Sequence, residues 1–180
     1  MCVLLLALGA SGCATHPPPP ISDQALNATR RFGDFAVYWA GRSFEGIAVT
    51  AADRADDYDH RLGMRVYYGD CIGHRSPLAS GGCTLPLEVN SVLYKPHSNR
   101  GLGPQRPLTL RGVPAVAYDQ GRSIELYTGH LAVDVFADSP GRALRAAQAL
   151  VPLNIPGATT PGSLPPPLFD PGEPGPPTSP

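Results

Sequence analysis

Charge is scarce in this 180-residue chain. Only 16% of its residues are charged, and 14 basic side chains nearly balance 15 acidic ones. Arg30 and Arg31 are the only adjacent basic pair. No surface can gather the positive surplus that captures a polyanion, which excludes nucleic acid and a polybasic membrane patch as the main partner. Long apolar runs are missing too: Val3 to Ala10 is apolar apart from Gly9, well short of the ~20 residues of a membrane span. The chain also lacks a G-x-S-x-G elbow, a P-loop, an H-E-x-x-H pair and a G-x-G-x-x-G turn, and with them the common nucleophile, phosphate, zinc and dinucleotide devices. Ser43 and Ser123 follow similar Gly-Arg pairs. No histidine stands near either in sequence, so neither is expected to be a nucleophile.

Proline is plentiful, with 22 residues against a usual share of ~5%. Four of them are Pro17 to Pro20, and ten more fall between Pro156 and Pro180. Between these segments, the stretch from Ile21 to Ile155 has an ordinary globular composition and is long enough to bury its own core. The expected organisation is a leader over residues 1–12, an anchor and Pro-rich spacer over 13–21, one globular domain over 22–155, and a disordered tail over 156–180. The tail's PPPLF segment is the part of it best suited to touch cell wall or a partner domain.

The residues around the first prolines suggest an address. Val3–Ala10 suits the apolar core of a secretory signal, and small residues follow it. Ala10-Ser11-Gly12-Cys13 resembles the lipobox of bacterial lipoproteins, with Ala10 standing where that pattern usually has Leu. The resemblance implies cleavage before Cys13, a diacylglyceryl thioether on its sulfur and an acylated amino group. Two or three acyl chains hold a protein on a membrane stably. The prolines behind them form a semi-rigid spacer.

Cys71 and Cys83 remain once Cys2 and Cys13 are assigned to leader and anchor. In an exported chain two such cysteines most simply pair as a disulfide. Closing a loop of about 12 residues stabilises by ~3 kcal/mol in the chain-entropy description. A metal-binding module is the alternative, with Cys71, His74 and Cys83 as ligands and His60 or His97 as a fourth. The second end of that set has a single cysteine where structural zinc sites have a pair, so the disulfide is expected, with no metal and no other cofactor.

The body reads as α+β, an antiparallel sheet of about six to seven strands packed by a C-terminal helix. Ser22 caps a short opening helix within Ile21–Arg31. Phe35–Trp39 and Gly46–Thr50 read as paired strands, and Ala51–His60 as a polar excursion. Asp53, Asp56, Asp57 and Asp59 crowd into it without the glycine that a calcium loop uses for its bend, so a solvated loop is expected. Met64–Tyr68 and Leu85–Leu93 are further strands. Pro86 pushes the latter to an edge or a late start. Leu108–Leu110 is a brief strand, and Val113–Tyr118, Ser123–Thr128 and Leu131–Ala137 form a meander with one buried and one wet face. Ser139 and Pro140 start a helix whose apolar stripe is Ala143, Leu144, Ala147, Leu150 and Val151, with Pro152 as its stop. His130 and Asp134 suggest a small polar pair. Trp39, Tyr67, Tyr68 and Tyr94 are either core rings or the lining of a groove.

The closing unit, Gly112 to Leu150, resembles an uncharacterised extracytoplasmic bacterial domain found in membrane-anchored proteins, including some anti-sigma factors and lipoproteins. Gly112, Tyr118, Leu126, Val133, Ala146 and Leu150 carry the likeness. All are turn or packing positions, so it implies a fold and no chemistry. The expected function is therefore an extracytoplasmic lipoprotein, membrane-bound through Cys13, acting as a non-enzymatic module for an envelope protein or small ligand. An envelope hydrolase whose catalytic residues only the fold assembles is the rival reading.

Overall fold

A computed structural model describes residues 18–56, 62–70, 84–94 and 104–171. The chain enters at Ile21, whose N–H donates to the Val49 carbonyl at 2.7 Å. Helix α1 (Asp23–Arg30) follows, with the Ser22 hydroxyl accepting from the Ala25 N–H as expected of an N-cap. Strands β1 (Tyr38–Trp39), β2 (Ser43–Phe44), β3 (Ile47–Asp56), β4 (Leu62–Tyr68), β5 (Leu87–Leu93), β6 (Arg106–Leu110), β7 (Val113–Tyr118), β8 (Ser123–Thr128) and β9 (Leu131–Ala137) precede α2 (Pro140–Ala149) and β10 (Val151–Pro152). The fold is α+β. Eight strands form an antiparallel sheet ordered β2-β3-β4-β5-β9-β8-β7-β6, and β1 pairs with β10 in a separate ribbon.

One face of the sheet carries the main core. Val49, Val66, Tyr68, Leu87, Val89, Leu126, Val133 and Val135 are buried there with Leu26 of α1 and Ala143, Ala146 and Ala147 of α2. Alanine on the helix lets its backbone approach the sheet closely. The stripe differs from the expected one: Ala146 faces inward while Leu144 is 39% exposed, and the helix ends at Ala149, two residues early. Leu150 has left helical geometry there, and its carbonyl accepts from the Arg111 guanidinium.

Several expected pairings are corrected. Phe35–Trp39 does not pair with Gly46–Thr50. Tyr38 and Trp39 lie opposite Pro152 and Val151, while Ile47 folds back on Phe44. The cause is the turn at Glu45-Gly46, where both residues take positive φ (50° and 78°), the conformation that closes a two-residue hairpin. The polar excursion is largely strand, since β3 runs on to Asp56 past an irregularity between Val49 and Ala51. Asp53 is thus a strand residue opposite Arg65, and Asp57 and Asp59 lie outside the described residues. Strand β5 starts late, directly after Pro86, but is central rather than at an edge. In β8 and β9 both faces are buried where one wet face was expected.

The Pro-rich stretch also departs from expectation over residues 156–171. It runs along the domain, with Leu164 only 7% exposed and its N–H donating to the Arg111 carbonyl.

Phe32 to Gly41 has little regular structure, so its backbone groups bond elsewhere. The Tyr68 hydroxyl accepts from the Ala40 N–H at 2.7 Å and donates to the Gly41 carbonyl at 3.0 Å. Tyr68→Phe keeps the ring and strands both groups. A buried donor left unsatisfied costs ~1–3 kcal/mol, so urea unfolding of the variant should lose about that much stability. A loss no larger than a surface substitution would contradict this role.

Candidate binding surfaces

The face of the sheet opposite the helices is built by register. Strand side chains alternate, so a row runs across five strands: Asp53, Arg65, Asn90, Asp134, Glu125. Tyr67, Glu88, Phe136, Ser123 and Tyr118 form the row beside it. Asn90, Asp134 and Glu125 are all at least nine-tenths buried. Glu125 and Asp134 stand directly opposite each other, and like charges so placed repel. Neither is without a partner. Beside this pair, burial and the negative charge of Glu125 push the Tyr127 phenol up, keeping it neutral and a donor. Across the row, the Asn90 Oδ1 and the Arg65 Nε are buried, belong to residues opposite one another in register, and have no hydrogen-bond partner among the described residues.

Glu88 is largely sheltered, and its carboxyl lies 3.9 Å from the Arg65 Nε, too far for a hydrogen bond. Burial raises its pKa, Arg65 lowers it less, and Asp53 adds to the rise. The aromatic end of this face is a separate small cluster of Val92, Tyr127 and Ala132, covered by Tyr94, Val116 and Phe169.

A second surface lies at the β1–β10 ribbon. Arg30, Trp39, Pro152, Ile155 and Pro156 line an open groove of about 470 Å³. Its walls are set by Asn154, whose amide donates to the Phe32 and Phe35 carbonyls and whose Oδ1 accepts from the Val37 N–H. Ile155 on its rim is 49% exposed. That size lies within the ~300–1,000 Å³ typical of small-molecule sites, and the lining is mostly apolar, with Arg30, Asn154 and Thr159 as its polar side chains.

The aromatic residues singled out in the sequence separate. Trp39 lines the groove, Tyr68 is core, Tyr67 donates to Asp53 on the opposite face, and Tyr94 belongs to the small cluster. His130 stands in the turn before β9, whereas Asp134 sits within the strand, opposite Asn90 and Glu125. His130 instead lends its backbone carbonyl to the Tyr94 N–H. Cys13, Cys71, His74, Cys83, His60 and His97 lie outside the described residues. Among the described residues no cluster of three His, Cys, Asp or Glu could hold a metal, and no helix could cross a membrane. The carboxylate row was hidden from sequence reading because Asn90, Glu125 and Asp134 meet only through register. Their shared period-two phase was the available signal.

A carboxyl whose native pKa is raised keeps its proton longer in the folded state than in the unfolded one. Stability then falls as pH rises from the ordinary carboxylate range toward the raised native value. Glu88→Gln should remove that fall, flattening the profile just above the ordinary carboxylate range and making the variant at least as stable as wild type at neutrality. Thermal melts across that range check it, and an unchanged slope would refute it.

The chain matches no protein-family model, no curated protein and no solved structure.

Proposed function

We propose that this is an extracytoplasmic bacterial lipoprotein, held to the membrane by lipid on Cys13, whose folded domain is a non-enzymatic binding module. The observation that carries this reading is one of spacing. The lipobox-like Ala10-Ser11-Gly12-Cys13 is separated by seven residues from Ile21, the first of the described residues bonded into the sheet. Four of those seven residues are prolines. At about 3.1 Å per residue the spacer reaches ~20 Å, enough to hold the domain clear of headgroups. The likeness of Gly112–Leu150 to a domain of membrane-anchored extracytoplasmic proteins points to the same compartment. In that setting Cys71 and Cys83 form a disulfide.

The groove at Trp39 is the ligand site of this reading. Its apolar walls with Arg30 at one edge suit a small envelope component with an apolar body and an acidic group.

Labelling with radioactive palmitate in bacteria expressing wild type beside Cys13→Ala tests the anchor. Wild type is expected to take up label and partition with membranes, and the variant to do neither. Label on both chains, or on neither, would overturn the reading.

A further inference from the structure

Residues Gly162 to Phe169 are held as a receptor holds a peptide. Pro165, Pro166 and Pro167 have no N–H, so this stretch can offer the domain only carbonyl oxygens. The domain supplies matching donors. The Thr128 hydroxyl donates to the Pro165 carbonyl at 2.7 Å, and the Gly129 N–H donates to the Pro166 carbonyl at 3.2 Å. Directly after the prolines, the Leu168 N–H returns a bond to the Gly129 carbonyl at 2.7 Å. Ahead of them, the Arg111 guanidinium donates to the Gly162 carbonyl at 2.6 and 2.8 Å, and the Arg111 carbonyl accepts from Leu164.

Two side chains anchor the strap. Leu164 is buried in the main core. Phe169 stacks on Tyr94 with ring centroids 3.6 Å apart and planes 5° from parallel, and meets Tyr127 edge-on at 6.0 Å. Extended proline-rich backbone, carbonyls read by fixed donors and an aromatic anchor are the elements of proline-rich peptide recognition. The preceding stretch, residues 155–161, is mostly exposed and has no helix or strand.

We infer that the surface made by Arg111, Thr128, Gly129, Tyr94 and Tyr127 is a proline-rich peptide-docking site, filled here by the chain's own strap and able to take the same strap from a second copy. Every contact between strap and surface would be met equally by an incoming Gly162–Phe169 segment, so the two arrangements differ only in the path of residues 155–161. A short tether gives the resident strap an effective concentration in the millimolar range, so exchange appears only when copies are crowded or the resident strap is damaged. The inference does not depend on lipid anchoring or on the groove at Trp39.

Complementary lesions in the full chain test it. One variant, Leu164→Ser with Phe169→Ala, has an intact surface and a damaged strap. The other, Tyr94→Ala with Thr128→Val, has an intact strap and a damaged surface. Each alone should sediment as a monomer, and an equimolar mixture should contain a one-to-one heterodimer. Two folded variants that stay monomeric when mixed would overturn the inference.

Should either variant fail to fold, isotope-labelled wild type is titrated with a synthetic peptide spanning residues 162–170. Saturable amide shifts at Tyr127, Thr128 and Gly129 at millimolar peptide are expected. Absence of those shifts, or equal shifts with a peptide lacking the Leu164 and Phe169 side chains, would overturn it.

Discussion

Buried backbone must be hydrogen-bonded, and in this fold two long, mostly irregular segments have to meet that requirement with no regular element of their own beyond the two-residue β1. Phe32 to Gly41 and Leu153 to Phe169 both cross ground that regular elements leave uncovered. A few side chains stand in for the missing ladders. Asn154 engages Val37, Phe32 and Phe35, Ser91 accepts from the Tyr38 N–H, and Tyr68 takes Ala40 and Gly41. The Leu153 N–H, donating to the Val37 carbonyl at 2.7 Å, ties the two segments together. Pinned at these points, Trp39 is left half-buried against the edge of the core and Ile155 exposed, and the two line the groove.

The other consequence concerns the second face of the sheet. An antiparallel sheet in a small domain can leave one face to water. Here the central strands bury both faces, and polar side chains are shielded alongside apolar ones: Asn90, Glu125 and Asp134. A buried polar row specifies register strongly, because a one-residue slip would drive carboxylates into the apolar core. The Pro-rich strap contributes to this face through Phe169. The segment whose composition promised least structure therefore closes the aromatic end of the sheet.

Much of the architecture was legible in local chemistry. Ser22 and Pro140 mark the helix starts, and the alternation in Ser123–Thr128 and Leu131–Ala137 delivers the meander with its strands in the expected order. What escaped was set by distant partners. Tyr38-Trp39 reads as an ordinary strand, but nothing nearby announces Val151-Pro152 as its neighbour. Residues 51–56 look like loop by polarity and become strand because β4 pairs with them along their length. Pro165–Pro167 signal extended backbone, while the donors that seat them, Thr128 and Gly129, lie 37 residues or so earlier. Of the binding surfaces, Trp39 was visible as a candidate. The row through Asn90, Asp134 and Glu125 required the register.

The central claim is that side chains, acting as substitutes for a strand, lock Phe32–Gly41 onto the domain. Native-state hydrogen exchange at the amides of Val37, Tyr38 and Ala40 addresses it most directly. The account predicts protection of the same order as the amides of β8 and β9, lost only with global unfolding. Exchange of those three amides at the rate of an open loop, while the sheet stays protected, would contradict it.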